Sequence, residues 1–138
     1  MELLQQSLMG LADFVIYFGV SLILLLGFKW AYTLVTPHDE WQLVKERQSV
    51  AAAIGLAGAV IGFAIALAGA ASNSVSVPDF VIWGIVALLA QLLAFAILRF
   101  TFMPKIVERI DNDEISAGIM LAGVSVAVGL LNAACMTY

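Results

Sequence analysis

Four apolar runs decide what this chain can become. They lie at about 14–35 (FVIYFGVSLILLLGFKWAYTLV), 50–71 (VAAAIGLAGAVIGFAIALAGAA), 80–102 (FVIWGIVALLAQLLAFAILRFTF) and 115–136 (ISAGIMLAGVSVAVGLLNAACM). Each has about the 20 residues that an α-helix, rising 1.5 Å per residue, needs to cross a hydrocarbon layer. No water reaches the backbone there, so a spanning segment must satisfy its own N–H and C=O groups, and runs of this length do so as helices rather than as barrel strands. The expected fold is therefore all-α and integral to the membrane, with four transmembrane helices. Composition agrees: 63% of residues are hydrophobic and 12% charged, with a mean hydropathy of +1.05, whereas a soluble domain carries about 25% charged residues. The net charge of −4 argues against nucleic acid as a partner. The opening MELLQQSLMGLAD holds no Lys or Arg, so no cleavable signal peptide is expected.

The basic residues orient the chain. All six (Lys29, Lys45, Arg47, Arg99, Lys105 and Arg109) fall toward the end of the first or third run or in the connection that follows it. Basic residues resist export, so the 36–49 and 103–114 segments are expected in the cytoplasm, and both termini and the 72–79 loop on the opposite side. Lys29 and Arg99 can snorkel their charges from just inside a span. Trp30, Tyr32 and Trp41 suit the cytoplasmic interface, and Tyr17, Trp83 and Tyr138 the outer one.

The sequence also echoes itself. DFVIY at Asp13 returns as DFVIW at Asp79. A proline follows each, Pro37 and Pro104, then a serine, Ser49 and Ser116, and IGLAG at 54–58 returns as IMLAG at 119–123. This pattern predicts two tandem helical hairpins, 1–71 and 72–138, which together form one membrane domain. Each unit crosses twice, so the repeat is parallel, with its axis along the membrane normal. The connections TPHDEWQLVKERQ and PKIVERIDNDE read as short amphipathic helices, the second with Ile106, Val107 and Ile110 on one face. Pro78 and Asp79 mark a helix start.

The second and fourth runs are rich in small residues. Gly55, Gly58, Gly62 and Gly69 lie on one, Gly118, Gly123 and Gly129 on the other, and Gly58 to Gly62 is a GxxxG motif. Lipid solvates leucine as well as protein does, so close packing in membranes favours small residues that let backbones approach. These two helices are the expected packed core, within one chain or between chains of a homo-oligomer. The first and third, rich in Leu, Ile, Val and Phe, are expected to face lipid.

The stretches TPHDEWQLVK, SNSVSVPDF and NAACMTY resemble the YjfL-like bacterial inner-membrane proteins. The resemblance spans nearly the whole chain. It implies two copies of a small membrane domain in the bacterial inner membrane and a link to envelope function, and it brings no catalytic or binding residues with it.

Little in the chain suggests chemistry. His38, Asp39 and Glu40 adjoin one another, yet His38 is the one histidine, and neighbours in one turn rarely converge on an ion. Asp111, Asn112, Asp113 and Glu114 lack the glycine and bidentate glutamate spacing of a calcium loop. Ser49 and Ser125 have no histidine to activate them. No enzyme activity, cofactor or metal is expected. Cys135, the one cysteine, leaves only an intermolecular disulfide open. Gln91 lies deep in the third run, with Asn73 and Asn132 toward the outer ends of the second and fourth; such groups join helices or line a polar pathway. Two functions follow. One is a non-enzymatic oligomeric scaffold in contact with lipid, recruiting a cytoplasmic protein partner. The other is a subunit of a small channel or pore, with Gln91 and Asn132 in its lining and Asp13 and Asp79 at its mouth.

Overall fold

The computed structural model describes residues 1–35, 49–97 and 106–136. Among the described residues five helices follow in order: α1 (Glu2–Val35), α2 (Val50–Asn73), α3 (Val77–Ile97), α4 (Ile106–Asp111) and α5 (Ile115–Cys135). No strand occurs among the described residues. By length and composition α1, α2 and α5 can each cross a membrane, and α3 carries a shorter apolar stretch, Val77–Leu93. The outer surface suits lipid. Leu22, Ile23, Leu26, Ile82, Leu89, Leu93, Ile119, Leu130 and Leu131 are all exposed, an apolar coat far beyond what a soluble monomer carries.

Local chemistry sets the helix starts. Ser49 is the N-cap of α2, its Oγ accepting from the Ala52 N–H, which satisfies one of the orphan donors of the first turn. At α3 the Ser76 hydroxyl accepts from the Asp79 N–H while Asp79 accepts from the Val75 N–H, a reciprocal arrangement close to a capping box. α5 begins at Ile115 behind Glu114, whose side chain makes no capping bond. Ser116, one residue into the helix, accepts a bond from Arg109.

α2 and α5 share the largest interface and run parallel, side by side. Ala51 meets Gly118, Gly58 meets Ala122, Gly62 meets Ser125 and Gly129, and Gly69 meets Ala133. α3 runs antiparallel to α5 and packs on both, and α1 lies outside against α2 and α3. Stacked rings seat α1: Tyr17 on Phe80 at 5.3 Å between centroids and Phe28 on Phe63 at 4.6 Å.

Two readings of the first run need correction. α1 starts at Glu2 rather than near Phe14, because Leu, Gln, Glu and Met are good helix formers and Gly10 is the lone breaker before Asp13. The end of apolar sequence is not the end of the helix. Tyr32, expected at the interface, is 1% exposed. It follows Phe28 by four residues, so both rings fall on the stripe of α1 that faces the bundle. Trp30, on the other face, is exposed.

Candidate functional site

The polar side chains of the spans gather where α2, α3 and α5 meet. Gln91 is 2% exposed and donates through Nε2 to the Ser125 carbonyl at 3.1 Å. Two turns along α5, Asn132 donates through Nδ2 to the Ala87 carbonyl of α3 at 3.2 Å. Each helix of this antiparallel pair therefore sends one amide to the backbone of the other. Such interhelical bonds are worth about 0.6 kcal/mol on average and up to about 1.7. Gln91 Oε1 has no hydrogen-bond partner among the described residues. Asn73 does otherwise: it donates to Gly69 O within its own helix at 2.8 Å. It lies in the last turn of α2, where a carbonyl one turn back is in reach.

Glycines make this junction tight. A Cβ at Gly62 would run into the Ser125 carbonyl and the Gln91 amide, one at Gly129 into the Gly62 backbone, and one at Gly118 into the Ala51 carbonyl. At Gly69 it would come within 2.7 Å of the Ala133 methyl. Gly55 is buried on α2. Gly123 differs from the rest. It is exposed and a Cβ there would touch nothing within 4 Å, because it points away from α2 while Ala122 and Ser125 point toward it. Beside it, Ile54, Ala57, Ile61, Ile119 and Val126 line an open apolar groove of about 560 Å³.

A second polar cluster ties the starts of α2 and α5 together at one end of the bundle. Asp113 Oδ1 accepts from Ser49 Oγ and from the Ala51 N–H, both at 2.9 Å. Asp113 has φ 56°, a left-handed turn that Asp tolerates better than most residues. The Ala51 amide first, then the Ser49 hydroxyl, hold its carboxyl below the ordinary carboxylate value. Arg109 on α4 pairs with Glu114 at 3.2 Å and reaches Ser116. Ile110 beside it is fully buried and seats this short helix. Of the three acids and one amide at 111–114, Asp113 thus serves as a cap for a helix remote in sequence. Among the described residues no group of three metal-ligating side chains forms.

Of the basic residues, Lys29 lies on α1, half-buried, and Arg109 on α4. Lys45, Arg47, Arg99 and Lys105 lie outside the described residues, as do His38, Asp39, Glu40 and the 37–48 connection. Cys135 is free and exposed at the last turn of α5. The link between Asp113 and Ser49 was missed in the sequence. Its one signal is an acid in the turn before one helix and a serine before another.

Residues 5–136 match the model of the Domain of Unknown Function DUF350. The chain is 40% identical over 129 residues to the UPF0719 inner membrane protein YjfL of Escherichia coli K12, covering 94% of this chain and 96% of that one, and equally to its counterpart in strain O157:H7. It is 26% identical over 125 residues to the UPF0719 transmembrane protein YshE of Bacillus subtilis, covering 90% and 92%. No solved structure matches. The chain belongs to the DUF350 family and is an inner-membrane protein with several apolar helices.

Proposed function

We propose that this DUF350 protein is a non-enzymatic, homo-oligomeric scaffold of the inner membrane: two tandem hairpins, 1–71 and 72–138, crossing four times, with both termini in the periplasm. The cationic connections then face the cytoplasm and offer a docking surface to a cytoplasmic protein partner. What supports the repeat is the parallel contact of α2 with α5. Gly62 and Gly129 occupy corresponding places in the two units, counted from Ser49 and Ser116, and they touch. Equivalent positions meet in this way across an axis along the membrane normal.

The observation that carries the scaffold reading is the state of Gln91. The one deep amide of the spans is buried and spent on a helix–helix bond, and the glycines around it leave no room for a solute. A pore needs a lined, wet path. The channel reading draws on one fact, the unpartnered Gln91 Oε1. Purified protein in liposomes separates the two. The scaffold reading expects no flux of small cations, anions or neutral solutes above that of protein-free vesicles. Flux abolished by Gln91→Leu would replace it with the channel.

A further inference from the structure

We propose that the first three turns of α1 are a self-association segment that pairs in parallel with the same segment of a second copy of this chain. The proposal rests on the oligomeric reading above and names one of its contacts.

α1 and α3 run parallel. Tyr17 stacks on Phe80, and Leu24 lies against Gly84. The start of α3 at Val77 is therefore level with about Phe14. The 12 residues from Glu2 to Asp13 continue past every other described helix for about 18 Å, and all of them are exposed. The 22 residues from Phe14 to Val35 already span about 33 Å, enough for the ~30 Å hydrocarbon layer. The headgroups add only about 5–8 Å on each side, so roughly 10 Å of an upright helix reaches water. Tilting cannot bring the whole helix into hydrocarbon. All 34 residues, about 51 Å, would need a lean of more than 50° to fit, whereas membrane helices lean by 0–40°.

The protruding segment is not built for water on all sides. Leu4, Leu8, Leu11, Val15 and Phe18 recur with 4-3-4-3 spacing and are 52–60% exposed. That is the seam period of paired helices. Glu2, Gln6 and Asp13 lie on the opposite face. All copies of a membrane protein share one orientation, so equivalent helices present this stripe at the same height, pointing the same way. Parallel pairing buries the leucines and keeps both acids out of the seam. A second copy meets each of these conditions at once.

The test uses the full chain with Cys135→Ala in native membranes and single cysteines under mild oxidation. Leu8→Cys and Leu11→Cys are expected to give a disulfide-linked dimer, and Gln6→Cys and Asp13→Cys to give none. No dimer at 8 and 11, or equal dimer at all four, overturns the proposal. So does a Leu8→Cys thiol shielded from impermeant maleimide without cross-linking, which would place the stripe in lipid. Molecular mass in nanodiscs keeps the two readings apart. A monomer would overturn the oligomeric reading itself, whereas an oligomer with no cross-link at 8 or 11 would overturn this contact alone.

Discussion

Two glycines on neighbouring helices predict opposite outcomes for the same chemical change. A Cβ added at Gly62 would lie 2.8 Å from Gln91 Nε2 and from the Ser125 carbonyl carbon, and closer still to the carbonyl oxygen. The obstacle is backbone and cannot rotate away. Overpacking of this kind costs about 1–3 kcal/mol. The displaced Gln91–Ser125 bond adds about 0.6–1.7 kcal/mol. Alanine gives back up to about 1 kcal/mol through helix propensity. Gly62→Ala should therefore destabilise the bundle by about 1–4 kcal/mol. Gly123→Ala meets nothing and keeps only the propensity gain, so it should be neutral or stabilising by up to about 1 kcal/mol. The propensity term cancels between the two variants, which leaves a gap of about 1.5–5 kcal/mol, or roughly one to three and a half powers of ten in the unfolding constant. Unfolding in lipid–detergent micelles titrated with a denaturing detergent, followed by circular dichroism, reads that gap. Equal midpoints for the two variants would refute the close α2–α5 packing on which the estimate stands.

Other consequences follow from the same contacts. The bonds from Ala51 and Ser49 lower the Asp113 pKa below its unfolded value, so their stabilisation is full above the ordinary carboxylate range and is lost as pH falls below about 4. Asp113→Asn, which keeps the left-handed turn accessible, should flatten that acid limb in thermal melts at graded pH; an unchanged acid limb would mean that the cap carries no weight. Ser49→Ala should lower stability by about 1 kcal/mol through loss of the α2 cap, measured in the same melts. Gln91→Leu removes one interhelical bond but also an unpartnered buried oxygen, so its net effect should stay within about 1 kcal/mol. Gln91→Glu would bury a carboxyl in the membrane interior and should cost about 2 kcal/mol or more. Equal midpoints for these two variants would place Gln91 in a wet environment.

The first, second and fourth runs were legible as helices long enough to cross a membrane because lipid imposes a length on any segment that crosses it. What failed was whatever depends on azimuth or on a distant partner. Gly123 sits in the same glycine-rich helix as Gly118 and Gly129, yet only the packed structure tells which side of α5 faces α2. Tyr32 has the composition of an interface residue and the position of a core one. The depth of Gln91 could be read, but its acceptor, Ser125 O, belongs to a helix whose placement no local pattern gives. Asp113 looked like one member of a solvated acidic turn. Its partners, Ser49 and Ala51, are more than sixty residues earlier in the chain. The start of α1 was misjudged for a simpler reason: a hydrophobic run and a helix end by different rules, and good helix formers carried the helix through Asp13 to Glu2.

The claim that orders all the others is that α2 and α5 both start at the cytoplasmic face and end at the periplasmic one. Thiol labelling of intact cells, opened to the periplasm, with an impermeant maleimide tests it directly, using the native Cys135 at the exposed end of α5 and, in a Cys135→Ala background, Asn112→Cys in the turn before it. The account predicts labelling of Cys135 at once and of Asn112→Cys only after the inner membrane is permeabilised; the reverse order, or equal labelling of both from outside, would contradict it.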